Sequence, residues 1–520
     1  MHLTWLARIT LTEDLTAARI ARGSIYLTFQ NVVSTLIGVV GFAFMARIIT
    51  EEEMGVIAGV ALLTSLVQLA SDFGLNSSIA KHVSEMEGRG QDLSRTVISA
   101  VAFRIPVCIL LSSLMFFFSS DISLILFKTN VYALAISLLS LDAVLLSLTP
   151  LLSNVLLGKG RMRSIAFFGI WAVVARWFSI TVLLLAGLGI DGIVLGWILG
   201  DLALLLMLTF RVRKLVSLKR AQPLGKHILP LLKFAFPLYV ASAVSFVYTW
   251  YDKAIILAYL PLSDLGIYNI AFLAFSVLAT ISGALGAALL PFYGKAYGQS
   301  DHQAISSGVK RASKYGILVL FPLALGLAAA SKPTLALFAG SRYSTGWTAL
   351  AVLALFGLVY GITPALSNLL LIYGKTKTIL LLSFIPVVSS LALLPLIWVS
   401  GLIGLAIMKG TSLLLSLILT IYFLNRTVKM QIDKPTLTKV LTASTMMATI
   451  VLALQLALYN SRLLPLYILA GAVTYIALVR TLKVFDKEDI QLIRQVMGKT
   501  AAKNAAKILG VSSEPVRTEK

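Results

Sequence analysis

Eight charged side chains fall inside long apolar stretches of this sequence, and their types and positions are what could do chemistry. They are Asp72, Arg104, Asp142, Arg176, Asp201, Asp252, Lys253 and Lys409. A charged group in the hydrocarbon region of a bilayer is costly unless it is paired or faces a water-filled cavity. If these stretches cross a membrane, each of the eight is therefore a candidate functional residue.

The composition predicts that the stretches do cross a membrane. Of 520 residues, 58% are hydrophobic and only 13% are charged, and the mean hydropathy is +0.92. A spanning helix needs about 20 predominantly apolar residues. Such runs lie near 24–46, 55–78, 96–119, 130–156, 164–187, 190–210, 234–258, 265–290, 313–338, 347–372, 378–399, 402–424, 437–459 and 463–480. The prediction is an all-α polytopic membrane protein with about 14 transmembrane helices.

The distribution of basic residues predicts the orientation. The formal net charge is +22, which in a soluble protein would suggest nucleic acid as a partner. Here 35 of the 44 basic residues fall in segments on one side of the predicted spans and five on the other. Basic loops favour the cytoplasmic side. We therefore expect a cell (plasma) membrane protein with both termini in the cytoplasm, and no nucleic-acid partner.

The chain repeats itself. PLLSNVLLGKGRMR from Pro150 aligns with PALSNLLLIYGKTK from Pro364, and ITEEEMGVIAGV from Ile49 aligns with LPLSDLGIYNIA from Leu260. The second match pairs Gly55 with Gly266 at an offset of 211 residues. In both matches, the offset from one segment to its counterpart crosses an even number of spans. The two repeats are therefore parallel and related by an axis along the membrane normal.

The repeats set the predicted domains. Two six-helix lobes are expected, followed by two extra C-terminal helices. The boundaries are a cytoplasmic segment 1–23, an N-lobe 24–210, a basic linker 211–233, a C-lobe 234–424, the last two spans at 437–480, and a basic tail 481–520 with an amphipathic helix.

Local motifs give further expectations. Gly192, Gly196 and Gly200 form a small-residue stripe that favours close helix packing. The tail contains Asp486-x-x-Asp489, a pattern similar to a capping box at the start of a helix. Prolines inside the spans, such as Pro106 and Pro322, are candidates for hinges or for simple packing kinks.

The depth of the charges predicts an anion site. At 1.5 Å per residue, Arg176 lies roughly 18 Å and Arg104 roughly 12 Å from the inner end of its span. Arginine at this depth should face carboxylate partners or an internal cavity. A cavity lined by Arg104, Arg176, Lys253 and Lys409 suits an anionic headgroup such as a pyrophosphate, since guanidinium matches phosphate oxygens in a bidentate fork.

The acidic side chains have two readings. Asp72, Asp142, Asp201 and Asp252 are candidate charge partners or sites of ion coupling. A network of Arg104 and Arg176 with Asp142 and Asp201 could instead only tie the N-lobe together. Lys253 could likewise extend to the membrane surface while pairing with Asp252.

Catalytic and metal signatures are not expected. Cys108 is the only cysteine, and the four histidines fall outside the apolar runs, which argues against thiolate or imidazole metal sites. Gly374-Lys375-Thr376 and Gly498-Lys499-Thr500 lack the first glycine of a phosphate-binding loop. We predict no catalytic residues, no cofactor and no metal, and therefore not an enzyme.

Several segments resemble one family. YDKAIILAYLPLSDLGIYNIAFLAF, the opening SIYLTFQNVVSTLIGVVGFAFMARIITEEEMGVIAGV, DFGLNSSIAKHVSE and the ending FDKEDIQLIRQV are similar to the polysaccharide (O-antigen type) flippases. These belong to the superfamily that also holds multidrug exporters and the peptidoglycan-precursor flippase. The resemblance covers nearly the whole chain. It matches Asp252 and Lys253 to the family's Asp-Lys/Arg position, and Gly266 and Tyr268 to the Gly-x-Tyr that follows.

The resemblance implies a flippase for polysaccharide biosynthesis. It would move polyprenyl-pyrophosphate oligosaccharide from the inner to the outer leaflet by alternating access. Expected partners are the lipid-linked oligosaccharide and membrane lipids, with polysaccharide polymerase or glycosyltransferases as further candidates. Two alternatives stay open: a cation-coupled multidrug exporter, in which Asp72, Asp142 or Asp201 binds the ion or drug, and a non-transporting membrane scaffold.

Overall fold

The computed structural model describes residues 2–216, 225–426 and 433–511. Some predictions from the sequence concern residues outside these ranges. The side chains of Arg8, Arg19 and Arg22, part of the basic linker at 217–224, Lys429 and the tail 512–520 lie outside the described residues.

The described chain is built of α-helices. The first ten are α1 His2–Ile48, α2 Glu51–Asp72, α3 Leu75–Gly88, α4 Ser94–Phe117, α5 Ser119–Phe127, α6 Ala133–Gly158, α7 Met162–Leu185, α8 Gly189–Arg213, α9 Gly225–Tyr259 and α10 Leu262–Gly298. The others are α11 His302–Ala329, α12 Ser331–Phe338, α13 Trp347–Phe356, α14 Thr363–Ile372, α15 Thr376–Ala392, α16 Leu396–Asn425, α17 Lys434–Ala457, α18 Leu464–Thr481 and α19 Lys487–Leu509.

The prediction of an all-α protein with about 14 spans is confirmed. Within the described ranges, thirteen helical segments are long and apolar enough to cross a membrane. The remaining predicted span, 378–399, corresponds mainly to α15, an apolar helix of 17 residues. Hydropathy summed over about 20 residues is a local property, which is why the spans are readable from the sequence.

Several helix ends differ from the predicted spans. Helix α1 starts at His2, so the predicted N-terminal segment continues the first span as helix. The predicted span 313–338 divides at Ala330 into α11 and α12. The predicted span 347–372 is interrupted by a 3₁₀ turn at Gly357–Gly361, and helix α14 starts after it at Thr363-Pro364. Hydropathy does not register such breaks because the residues at them are themselves apolar.

The described chain divides into two compact units at Gly266 and Ile267. The first unit holds α1 to α9 and the first turn of α10. Its contacts include the α9 segment: the Ser78 hydroxyl donates to the Leu231 carbonyl at 3.0 Å, and the rings of Phe73 and Tyr239 stack with centroids 5.7 Å apart. The predicted lobe boundaries follow the sequence repeat instead and stay a prediction.

Close packing of α7 and α8 shapes the first unit, as the glycine stripe predicts. A Cβ on Gly196 would lie 2.8 Å from the Ile180 backbone nitrogen, and one on Gly200 would lie 3.0 Å from the Arg176 Cα. Such distances are reached only because glycine carries no side chain. The stripe therefore brings the backbones of the two helices together at the level of Arg176.

A polar clamp ties α19 to α11 in the second unit. Lys314 Nζ donates to Asp486 Oδ2 at 2.8 Å and to Asp489 Oδ2 at 2.7 Å, and the Tyr315 hydroxyl donates to Asp489 Oδ1 at 2.7 Å. Asp486 and Asp489 also form the predicted capping box of α19, which is confirmed. Arg311 pairs with Glu488 at 3.1 Å beside them. Both carboxylates thus cap a helix and hold a buried ammonium group.

The clamp contains one carboxyl group with a shifted pKa. Burial alone would raise the pKa of Asp486, but hydrogen bonds from the Lys314 ammonium and the Asp489 backbone N–H outweigh burial and lower it. A lowered pKa in the folded state stabilises the fold above the group's ordinary pKa. This contribution is complete near neutral pH and is lost as the pH falls through the lowered pKa.

Replacing Lys314 by Met should release α19. The buried Asp489 carboxylate would lose its counter-charge, which is the costly way to break a buried ion pair. We expect backbone amides in the first half of α19 to exchange with deuterium about tenfold faster. The matched control is Lys310→Met, an exposed lysine one turn earlier on α11, which should exchange as the wild type does. Equal exchange in Lys314→Met would show that apolar packing alone holds the helix.

Candidate functional site

Three charges from consecutive spans meet inside the first unit. Arg176 on α7 forms an ion pair with Asp201 on α8 through Nη2 and Oδ1. Gly200 precedes Asp201 and permits the close approach of the Arg176 backbone, so the stripe on α8 places this pair. Asp142 on α6 lies where the charges of both residues act on it. We call Asp142, Arg176 and Asp201 the acid–arginine cluster.

The acid–arginine cluster is incomplete in its hydrogen bonding. Asp142 is fully buried, and among the described residues neither of its carboxylate oxygens accepts a hydrogen bond; Oδ2 of Asp201 is in the same situation. Two carboxylates can share a hydrogen bond only when one of them carries a proton. One arginine opposite two buried acids leaves one negative charge, which in an apolar medium requires a cation.

Arg176 is the accessible member of the cluster. Its side chain keeps 33% of its surface exposed, whereas that of Asp201 keeps only 5%. Arg176 is therefore the member of this ion pair that a ligand can reach.

Arg104 lies in a second, separate cluster. Its Nη1 donates to Asp72 Oδ1 at 3.0 Å and to Asn76 Oδ1 at 2.8 Å, and its side chain is fully buried. Asp72 ends α2, and the left-handed residues Phe73 and Gly74 turn the chain into α3, which carries Asn76. The motif DFGLN thus forms a pocket for the guanidinium of α4. This geometry favours a structural role for Arg104.

The adjacent charges Asp252 and Lys253 are buried on α9. The Lys253 backbone N–H donates to Asp252 Oδ1 at 2.9 Å. The Lys253 ammonium lies 4.3 Å from the ring centroid of Trp250, within the range of a cation–π interaction. Only 6% of Lys253 is exposed, so it does not extend into solvent in this structure.

Lys409 lies in the second unit, on α16. It is 3% exposed, and its ammonium is 5.5 Å from the ring centroid of Phe272. Gly410 packs its backbone directly against the Phe356 ring, which draws this part of α16 into the helix packing of the unit. Lys409 is thus a buried cation beside an aromatic face.

The structure brings together some of the predicted residues and not others. It joins Arg176 with Asp201 and Asp142, as one sequence reading proposed, but it places Arg104 with Asp72 instead of in that network. Sequence reasoning missed Asn76 and Trp250. Trp250 precedes Lys253 by three residues on α9, which makes them neighbours on one helix face and is the signal that could have found Trp250. Asn76 is brought to Asp72 by the turn at Phe73 and Gly74, so helical spacing gives no signal for it.

Solved structures share this architecture. The lipid II flippase MurJ, in an inward closed conformation, superposes with a TM-score of 0.71 at 16% identity, covering 91% of this chain and 99% of that one. A multidrug resistance MATE family transporter in an inward-facing conformation gives 0.64 at 14% identity, covering 78% and 99%. The chain shares the fold of these two transporters, and its many long apolar helices make it a multi-pass membrane protein.

The sequence itself matches a family over residues 44–347, more than half of the chain, under the description "Polysaccharide biosynthesis protein". The chain belongs to this family. It is also 23% identical to the probable low-salt glycan biosynthesis flippase Agl15 of Haloferax volcanii, over 95% of this chain and 100% of that protein. The succinoglycan biosynthesis transport protein ExoT of Rhizobium meliloti is 23% identical over 60% of each chain.

Replacing Asp72 by Asn should destabilise the first unit. The Arg104 guanidinium, with no exposed surface, would lose its counter-charge, which costs about 3 kcal/mol for a buried pair. We expect a lower unfolding temperature in detergent, recovered in part by Asp72→Asn/Arg104→Met, which removes both charges. The exposed Asp121→Asn is the control and should melt as the wild type does. An unchanged unfolding temperature in Asp72→Asn would remove the structural role.

Proposed function

We propose that this protein is a flippase that moves polyprenyl-pyrophosphate oligosaccharide from the inner to the outer leaflet during polysaccharide biosynthesis. Membership of the polysaccharide biosynthesis family supports the glycan substrate. The likeness to Agl15, a probable glycan biosynthesis flippase, supports a lipid-linked form of it. The excess of basic residues on one side of the spans supports N- and C-termini that both lie in the cytoplasm.

The observation that carries the proposal is the partial exposure of the Arg176 side chain within a spanning helix. An arginine whose side chain keeps a third of its surface accessible within a spanning helix can bind phosphate oxygens through a bidentate fork. Release of phosphate returns it to Asp201, its partner in this structure. Arg176 thus alternates between a carboxylate and the pyrophosphate without becoming an unpaired charge.

The other cations have secondary roles in the proposal. Lys253 in the first unit and Lys409 in the second are candidate phosphate contacts, each resting on an aromatic face that a phosphate can replace. Asp252 balances the charge of Lys253. Arg104 is the weakest candidate for phosphate binding because its side chain has no exposed surface and its Nη1 already donates to Asp72 and Asn76.

The acid–arginine cluster gives the flippase a site for ion coupling. The donor-free Asp142 carboxylate and the second oxygen of Asp201 favour the uptake of one cation, a proton or a sodium ion. Binding of phosphate to Arg176 withdraws its charge from the two acids, and this makes the cation more strongly held. Lipid substrate and cation then bind with positive coupling.

Removing Arg176 should abolish glycan flipping. The experiment uses purified protein in liposomes with a polyprenyl-pyrophosphate oligosaccharide, and scores translocation with a membrane-impermeant glycan-modifying reagent. We expect Arg176→Gln/Asp201→Asn, which keeps the local charge balanced, to fold and to lose at least tenfold in flipping rate. Arg176→Lys should retain part of the rate because it keeps the charge but not the fork.

Two comparisons make this result decisive. Lys377→Gln, which removes an exposed positive charge, should flip at the wild-type rate. Efflux of a cationic dye is measured beside it, because the same cluster would suit a cation-coupled multidrug exporter. Dye efflux without glycan translocation would assign the protein to that function and overturn the flippase.

Neutralising Asp142 should uncouple transport from the ion gradient. In Asp142→Asn the cluster holds one acid and one arginine, so it no longer requires a cation. We expect wild-type flipping to change several-fold when a proton or sodium gradient is imposed across the liposome, and flipping by Asp142→Asn to be insensitive to both. An equal gradient response in the variant would exclude Asp142 from coupling.

A further inference from the structure

A polar pocket lies between helix α11 and the starts of α17 and α19. Its volume is about 450 Å³. One wall is a face of α11 between Gln303 and Tyr315, and the other is formed by Asp433, which precedes α17, and by the first turn of α19 around Glu488. All of these residues belong to the second compact unit. We call this cavity the boundary pocket.

The two walls of the boundary pocket carry opposite charges. The basic lining residues all lie on α11, and they are Lys310, Arg311 and Lys314. The acidic lining residues all lie on the other wall, and they are Asp433, Asp486, Glu488 and Asp489. The lining therefore holds three positive and four negative charges, sorted by side.

Lys310 and Asp433 stand apart from the pairing across the pocket. The other charges meet in the clamp on α19 and in the neighbouring pair of Arg311 with Glu488. Among the described residues, Lys310 makes no hydrogen bond or ion pair. The Asp433 carboxylate accepts hydrogen bonds there only from the backbone N–H and the hydroxyl of Thr436 on its own helix, at 3.3 and 2.9 Å. In the part of the chain that the structure describes, each wall thus presents one charge without a counter-charge.

The boundary pocket lies at the depth of lipid headgroups. Lys314 is the last charged residue of α11 before a run without charges that extends from Tyr315 to Ala330. On α17, Lys439 is the last charged residue before a similar run to Ala457. The hydrocarbon region of a bilayer takes up such runs, so the pocket lies at its edge. The basic residues on this side of the spans predict the cytoplasmic leaflet.

The α11 wall suits a phosphate group. Ser306, Ser307 and Lys310 lie three and four residues apart, so they share one face of the helix. Arg311 pairs with Glu488, but these side chains are 62% and 70% exposed. An ion pair so exposed contributes little stability, so Arg311 can turn to a ligand at low cost. Lys310 and Arg311 can then bind phosphate oxygens through charge-assisted hydrogen bonds.

The charge balance favours a zwitterionic ligand over an anionic one. The lining already has one negative charge in excess. A purely anionic headgroup would place further negative charge beside four carboxylates, which repel it. A headgroup that also carries a primary ammonium group adds no net charge, and its N–H groups can donate to the Asp433 carboxylate. Phosphoethanolamine has both groups, joined by an ethyl linker.

We propose that the boundary pocket binds the phosphoethanolamine headgroup of a membrane lipid. The phosphate lies against Lys310 and Arg311, and the ammonium group lies against Asp433. The bound lipid joins α11 to the start of α17 beside the clamp that holds α19. This inference does not rest on the proposed function, because it concerns a component of the surrounding membrane and not a transported molecule.

Lipid binding to the purified, delipidated protein in detergent tests the proposal. The probes are phosphatidylethanolamine, phosphatidylcholine and phosphatidylglycerol with identical acyl chains, and bound lipid is counted by native mass spectrometry. We expect phosphatidylethanolamine to bind about tenfold more tightly than the other two, which is the effect of one hydrogen bond to a charged group. The choline nitrogen has no N–H to donate, and the glycerol headgroup has no positive charge. Equal binding of the three lipids, or a preference for phosphatidylglycerol, would overturn the proposal.

Two substitutions locate the site. Lys310→Met and Asp433→Asn should each lower the affinity for phosphatidylethanolamine about tenfold and remove the preference over phosphatidylcholine. Both should fold, because Lys310 is exposed and asparagine keeps the N-cap of α17. Their unfolding temperatures in lipid-free detergent should match that of the wild type. Unchanged affinity in both variants would refute the pocket as the binding site.

Matched controls use the same substitutions outside the pocket lining. Lys295→Met removes an exposed lysine from the end of α10, and Asp301→Asn replaces the N-cap of α11. Both proteins should bind phosphatidylethanolamine as the wild type does. An equal loss of affinity in these controls would show that the lipid responds to the overall charge of this side, and would overturn the site.

Glycerophosphoethanolamine separates a lipid from a soluble ligand. It carries the same headgroup without acyl chains, so at equal concentration it should not displace bound phosphatidylethanolamine. Displacement would assign the pocket to a soluble compound and overturn the lipid site. None of these measurements requires transport, so their failure would leave the flippase assignment untouched, and a failure of the flippase assay would leave the lipid site untouched.

Discussion

The cost of a charge in an apolar medium is the constraint on which the rest of this structure depends. Arg104 lies against Asp72 and Asn76, and Arg176 lies against Asp201. Each pair joins different helices, so charge pairing also sets which helices are neighbours and at what depth. Asp142 departs from this pattern, since its buried oxygens accept no hydrogen bond within the described residues. A group that violates the constraint in the resting structure is the place to look for a ligand.

Glycine residues are the second feature on which the helix packing depends. Helices in lipid gain little from hydrophobic attraction to each other, so they depend on close backbone approach. Gly196 and Gly200 bring α8 against α7, and this approach puts Asp201 within reach of Arg176. At Gly55 and Gly266 the same close approach brings the starts of α2 and α10 into backbone contact.

Much of the architecture could be predicted from the sequence because it rests on local signals. The spans, the glycine packing on α8 and the capping box at Asp486 all follow from patterns within about 20 residues. The repeat offset of 211 was also readable, and the reciprocal contact of Gly55 and Gly266 has the same offset. The helix breaks at Ala330 and Gly357 were not predicted, since apolar residues surround them on both sides.

The candidate site was only half predictable. Hydropathy identifies the eight charges inside the spans, but it leaves their grouping open, and one interpretation of the sequence puts Arg104 with Asp142 and Asp201. Pairing depends on how each helix is rotated about its axis and how deep it lies, and no local pattern carries that information. Lys314 shows the same limit: it is an ordinary loop-side lysine in the sequence, yet it closes a clamp with carboxylates more than 170 residues away.

By itself, the sequence determined that this is a polytopic helical protein with a parallel repeat and costly charges inside its spans. These properties follow from composition and periodicity along single helices. Only the tertiary structure decided which acid meets which base, which arginine remains accessible, and which carboxylate is left without a donor. The physical reason is that transfer into lipid is summed residue by residue, whereas a charge pair exists only when two distant helices place their side chains within a few ångströms of each other.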